Sequence, residues 1–189
     1  MPTPLPSSVM IDAESGKISP FTGRYQKRLS ELEGIFLDRD AWTDAIRTRA
    51  DPVVYEVIEC RQDGNDLFFG TTIVAPGQVG AEFYMTRGHF HARRDLGEVY
   101  ATTSGQGILL LETRSGQSQA LEMCKGSVTC IPPDWAHRTI NTGNCPLVFT
   151  WVCSIDAGHD YASIRERGMR KVVVVRDGLV AVIDNPRIG

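Results

Sequence analysis

Two histidines, His89 and His91, stand one residue apart in the stretch GHFHARRDLGEVY (88–100), and a glutamate, Glu98, follows seven positions after the second. The chain has only four histidines, so half of them fall within three positions. On a β-strand, side chains at i and i+2 share a face. His89 and His91 therefore point the same way and Phe90 the other. Glu98 opens an apparent strand, EVYATT, and a tight connection through ARRDLG would return its carboxylate beside the two imidazoles. A further histidine, His137, comes from IPPDWAHRTIN on a different strand. Three imidazole nitrogens and one carboxylate oxygen on the concave side of a small β-barrel make an open divalent metal site. These ligand types suit iron, manganese, zinc or nickel better than magnesium or calcium, and open positions would admit substrate or water. A His-x-His pair by itself is commonly no more than two polar strand residues; the carboxylate and the third imidazole make the pattern specific.

The elements able to position these groups are legible along the chain. From residue 51 the texture is short β-rich runs: VVYEVIEC, DLFFGTTIVA, GEVYATTS, GILLLET, SQALEM, SVTCI, HRTIN and PLVFTWVC, separated by Gly, Pro, Asn and Asp. About eight strands without interleaved helices argue for a β-sandwich or barrel. Residues 1–34, rich in Pro, Ser and Gly, read as an extended arm. RDAWTDAIRTRA, 39–50, has Ala41, Trp42, Ala45 and Ile46 at helical spacing, and Asp51-Pro52 ends it. The expected organisation is all-β and single-domain. Residues 1–50 form an arm and short helix, and 51–155 the barrel. In 156–189 a helix (YASIRERG, stopped by Gly168) and a hairpin (KVVVVRDGLVAVID, turning at Asp177-Gly178) pack on that barrel.

Bulk properties narrow the function classes. The chain has 189 residues, 42% of them apolar, enough for one compact domain with a real core. Net charge is −3 with no Lys/Arg block, which argues against nucleic acid and anionic membranes as partners. The N-terminus MPTPLPSSVMIDAESGK lacks the charged and apolar regions of a signal peptide, and the longest apolar runs are too short to span a bilayer. A soluble cytoplasmic protein is expected. The five cysteines (Cys60, Cys124, Cys130, Cys145, Cys153) form no CxxC pair and read as reduced, mostly buried thiols.

The histidines lie in a longer pattern. H-x-H-x6-E-x6-G runs from His89 to Gly105; after twenty residues, G-x5-P-x-D-x2-H-x3-N runs from Gly126 through Pro132 and His137 to Asn141. This bipartite pattern resembles the two motifs of the cupin superfamily, implying a jelly-roll barrel that binds metal. It departs where the usual glycine five residues before the first histidine is absent, and where Asp134 takes the place of a glycine. Within cupins, TRGHFHARRDLGEVY, PPDWAHRTIN, DAGHDYASIRERG, VIDNPR and DPVVYEV resemble the cupin-type glucose-6-phosphate isomerases of archaea and some bacteria, from about residue 29 onward.

That resemblance implies interconversion of glucose 6-phosphate and fructose 6-phosphate, a glycolytic and gluconeogenic step, by a homodimer with one divalent metal per subunit. Iron(II) is the implied native ion, with manganese, nickel or zinc as alternatives. Its implied metal ligands are His89, His91, Glu98 and His137. Thr72, Thr86 and the Gly88 N–H would hold phosphate, with Tyr84 nearby, and Tyr55, Tyr100, His159 and Tyr161 would line the sugar. Cys153 stands where the family often has tyrosine and is expected in the pocket wall; Trp135 is a second candidate for that wall. Isomerisation through a cis-enediolate needs a base, for which Glu98 is the candidate, and a proton shuttle or ring opener, for which His159 is suited because imidazole titrates near neutrality. The metal would act as Lewis acid; a hydride shift is the alternative route. Arg87, Arg93, Arg94 and Arg138 flank the motifs as solvated loop charges or sources of positive potential. Two rival functions share the same motifs: a cupin dioxygenase, which would consume oxygen, and a non-catalytic sugar- or metal-binding cupin, which would bind without turnover.

Overall fold

The computed structural model describes residues 5–188, the side chain of Glu166 excepted. Its main strands are β1 (Gly23–Arg28), β2 (Val53–Cys60), β3 (Leu67–Val74), β4 (Glu98–Ser104), β5 (Gln106–Thr113), β6 (Ser118–Cys124), β7 (Val128–Ile131), β8 (Trp135–Asn141), β9 (Leu147–Ser154), β10 (Lys171–Arg176) and β11 (Leu179–Asp184). One sheet has the order β7-β4-β9-β3-β2-β1. A second has the order β6-β5-β8 and is extended by the segment 85–89, through the antiparallel pairs Met85↔Ile140 and His89↔His137. The sheets pack face to face: Val57, Phe68 and Phe149 of the first share one apolar cluster with Leu109, Leu111 and Ile140 of the second. The protein is an all-β jelly roll, as expected, although its hydrogen-bonded sheets do not close into a continuous barrel.

Most strands follow the apolar runs that announce them. The run PLVFTWVC becomes β9, seated between β4 and β3 and buried along most of its length. The hairpin β10–β11 turns at Asp177-Gly178, both at positive φ. Helix α1 (Arg39–Thr48) starts on the side chain of Asp38, which accepts a hydrogen bond from the Ala41 N–H, the usual N-cap arrangement. Helix α2 (Ala162–Arg167) follows the site segment 157–161. Asn141, the last residue of the second motif, is fully buried and donates to the carbonyls of Val74 and Cys145, tying β8 to the opposite sheet.

Residues 1–4 of the region read as an extended arm lie outside the described residues, and the rest of it carries strands. Residues 10–11 and 18–19 form a small ladder, and Gly23–Arg28 is the edge strand β1, paired with β2 in the register Tyr25↔Val57. Its sequence, GRYQKR, has no apolar run because an edge strand with one partner needs few buried side chains. Leu29 and Leu32, just after it, are fully buried. The turn beyond them is held from far along the chain: the Arg187 guanidinium donates to the carbonyls of Gly34, Phe36 and Leu37 at 2.9, 2.6 and 2.9 Å.

Two further points differ from expectation or explain it. Asp134, where the motif usually has glycine, sits at φ 61, the left-handed region that aspartate tolerates better than most residues. Its carboxylate is held by Arg94 and Arg114. The cysteines are free thiols, but three of them (Cys124, Cys130, Cys145) are exposed, correcting the mostly buried expectation. No helix of the described residues is long and apolar enough to cross a membrane.

Candidate metal centre

His89 and His91 lie on the strand-like segment 85–92, between β8 on one side and residues 157–160 on the other. The Phe90 N–H donates to the Asp160 carbonyl, and the Asp160 N–H back to that of Phe90. Phe90 itself is fully buried on the opposite face, under the Arg114 guanidinium at 4.0 Å. His137, on β8, is the direct cross-strand partner of His89, their ring centroids 4.4 Å apart. Glu98 begins β4 and therefore belongs to the other sheet. The connection through ARRDLG returns the carboxylate beside the imidazoles, but across the interior: three imidazoles project from one sheet and the carboxylate meets them from the facing one. One ligand atom from each of the four residues lies within 4.8 Å of all the others.

The orientation of the rings fits a cation. His91 Nδ1 is 2.9 Å from the Leu96 carbonyl and His137 Nδ1 is 3.2 Å from that of Trp135. A carbonyl accepts only from an N–H, so in the neutral ring Nε2 carries the lone pair. Both Nε2 atoms stand 3.2 Å from Glu98 Oε2. That of His137 is buried without a hydrogen-bond partner among the described residues, the approach to Glu98 being poorly aligned for one. Lone pairs converging on a buried carboxylate repel unless a positive charge sits among them, and a metal ion with nitrogen and oxygen ligands meets that need.

Burial dominates the electrostatics. It pushes His89 well below the ordinary imidazole range, and His137, His159 and His91 push the same way. Burial also lowers His159, the most open of the four. For Glu98 burial works upward, yet positive charge on the neighbouring His137 and His91 rings outweighs it when they carry a proton, so the carboxyl is then held below its usual range. Burial works downward on His91, and Glu98 more than compensates. Tyr100 is driven up by burial and then by Glu98.

A cavity of about 100 Å³ opens beside the four ligands, large enough for more than one water-sized group. His89, Glu98, His137 and His159 line it, as do Tyr55, Thr72, Thr86, Gly88, Tyr100 and Tyr161, so the structure brings these sequence-derived residues together. His159 and Tyr161 stack at 5.4 Å and 14°. At the strand edge carrying Thr86 and Gly88, three residues (86–88) face two (138–139) between the pairs Met85↔Ile140 and His89↔His137, a one-residue bulge of the kind that re-aims side chains near active sites. Gly88 takes it at φ 75.

Other expected residues lie elsewhere. Tyr84 is buried away from the cavity, its ring against Gly77 and its hydroxyl 3.4 Å from Arg49 Nη1. Cys153 is not in the lining; it is the cross-strand partner of Glu98, and burial first, then Glu98, raises its thiol. Trp135 is also outside the lining, whereas Trp151 is part of it. Arg93 and Arg94 pair with Asp95 and Asp134 at the surface. Arg87 lines the cavity and Arg138 lies buried behind it. Tyr25, Glu59, Phe68 and Phe149 were not singled out, because their place in the lining follows from sheet register rather than from any local motif.

The family model for glucose-6-phosphate isomerase (GPI) matches residues 26–187. Over 184 residues the chain is 47% identical to the glucose-6-phosphate isomerase of Thermococcus kodakarensis and 46% identical to that of Pyrococcus horikoshii, each alignment covering 96% of this chain and 96% of the relative. Among solved structures, oxalate decarboxylase of Lactobacillus farciminis in its formate complex matches with a TM-score of 0.48 and 17% identity, over 56% of this chain and 30% of that one.

Proposed function

The chain belongs to the glucose-6-phosphate isomerase family, and from that premise we propose that its cavity converts glucose 6-phosphate to fructose 6-phosphate and back at the His89, His91, Glu98 and His137 cluster. The activity is that of an aldose–ketose isomerase. The observation that carries the reading is a four-residue cluster, three of whose members line one cavity together with Thr72, Thr86 and Gly88.

In this reading Thr72, Thr86 and the Gly88 N–H hold the phosphate dianion through short charge-assisted hydrogen bonds. Tyr55, Tyr100 and Tyr161 wall the sugar. His159, shifted toward the neutral form by its partial burial, offers a lone pair to take and return an oxygen proton, and Tyr161 stacked on it limits how the ring turns. Glu98 is the base that moves the proton between carbons 1 and 2, acting through the carboxylate oxygen that does not hold the cation. His89, His91, Glu98 and His137 would hold a divalent cation, iron(II) in our proposal, which would supply Lewis-acid stabilisation of negative charge on the sugar oxygens. The working unit is a homodimer in the cytoplasm.

The test is a coupled assay of fructose 6-phosphate conversion on purified protein, after EDTA, and after return of iron(II), manganese, nickel or zinc. Activity lost to EDTA and restored by a divalent ion supports the reading. Folded, metal-loaded protein without turnover overturns it, and oxygen uptake would then point to a dioxygenase.

A further inference from the structure

We propose that Arg138 is a positioning residue that sets the anion-binding face of the Arg87–Gly88 peptide; this rests on the reading above, that Thr72, Thr86 and Gly88 receive the phosphate. Arg138 is on β8 next to His137, but its side chain leaves by the opposite face of the strand and is only 4% exposed. Its Nε and Nη2 both donate to one acceptor, the Arg87 carbonyl, at 3.2 and 2.7 Å. In a trans peptide the carbonyl and the following N–H point in opposite directions. A guanidinium gripping the Arg87 carbonyl from behind therefore turns the Gly88 N–H toward the cavity that Gly88 lines. The fit is close: a Cβ on Gly88 would stand 3.1 Å from both Cβ and Nε of Arg138.

The next residue on β8 completes the arrangement. The Thr139 N–H donates to Thr86 Oγ1 at 3.0 Å, so the hydroxyl proton of Thr86 remains available to an anion. The two residues opposite the bulge thus orient two donors on its cavity side. Arg138 also contributes a fixed positive charge behind the peptide, where little water screens it. A purely structural role would instead have Arg138 neutralise Glu82 and Glu112, the buried carboxylates that act on it.

Arg138→Lys separates the two roles, since it keeps the charge and loses the planar two-pronged grip. On the metal-loaded enzyme, the inhibition constant of inorganic phosphate and the KM for glucose 6-phosphate are expected to rise about tenfold, as for one charge-assisted hydrogen bond. Over the same comparison kcat should stay within about threefold. An active variant with an unchanged phosphate inhibition constant, whatever its melting temperature, overturns the proposal. Should that variant not fold, the wild-type protein supplies a second measurement. Inorganic phosphate titrated into 15N-labelled protein should shift the Gly88 amide and the Arg138 Nε–H with one common Kd, and a Gly88 shift without an Arg138 shift overturns the coupling. An inactive wild type sinks the isomerase reading, and the phosphate titration then decides the role of Arg138 independently.

Discussion

The carboxylate of Glu98 and the imidazole of His137 meet at 3.2 Å across the interior, one from β4 and one from β8, in opposite sheets. A cation at this meeting point ties the sheets together, so binding it should stabilise the fold. At a free ion concentration a hundred times Kd, the gain is about 2.7 kcal/mol, roughly 5–10 °C in melting temperature for a chain of this size. Calorimetry with and without EDTA measures the shift. His137→Ala should abolish it, and a His137→Ala protein that keeps the full shift would exclude His137 as a ligand.

Gly88→Ala tests the bulge. At φ 75 an alanine is strained, and its Cβ would meet Arg138 and the His137 carbonyl at 3.1–3.2 Å. We expect a destabilisation of about 1–3 kcal/mol, together with a kcat/KM at least tenfold lower. Urea unfolding and steady-state kinetics report the two effects separately. Wild-type kinetics would show that the exact path of the bulge does not matter.

Tyr25 brings the edge strand β1 into the cavity lining. Tyr25→Ala opens that wall, so KM for the sugar phosphate should rise several-fold with a smaller change in kcat. The ring is 41% exposed, and stability should move by less than about 1 kcal/mol. An unaltered KM would place Tyr25 outside the substrate's reach.

An ion network pins the segment carrying His159 and Tyr161. Arg114 reaches Asp134 at 3.2 Å and Asp160 at 3.1 Å. Hydrogen bonds from Arg94 and then Arg114 hold Asp134 below the usual carboxylate range; Ser163 and then Arg114 do so for Asp160. Because the folded values lie below the unfolded value of about 3.9, the stabilisation is present above that pH and disappears as pH falls through the folded values. These side chains are around one-third exposed, so the network is worth only about 1 kcal/mol after screening, or roughly 3 °C. Arg114→Ala should melt lower by that amount at pH 7, and the gap should narrow below about pH 4. What remains at low pH measures the stacking of Arg114 on Phe90.

Spacing made the four clustered residues His89, His91, Glu98 and His137 legible, because a β-strand's period and a pair of motifs survive in one dimension. The strands β2, β3, β5 and β9 were readable for a related reason: each packs a run of apolar side chains into the core. The side of the cavity from which Glu98 arrives was not readable, since sheet membership depends on pairings as distant as Glu98 with Ile131 and Cys153. The polar run GRYQKR gave no strand signal, and the bulge at Arg87–Gly88 is a mismatch between two strands that neither contains alone. Cys153 was expected at the pocket wall, yet as the cross-strand partner of Glu98 on β9 it sits beside that carboxylate and outside the cavity lining.

The Arg187 contacts have a consequence for the growing chain. Gly34, Phe36 and Leu37 offer their carbonyls to a side chain synthesised about 150 residues later. At roughly 5–20 residues per second, a ribosome takes on the order of ten to thirty seconds to cover that interval. Throughout it Leu29, Leu32 and Phe36, all buried in the finished protein, lie in or just before a turn whose latch does not yet exist. Final closure of this corner therefore waits until Arg187 has left the ribosome, and until then its apolar residues are open to chaperones and proteases.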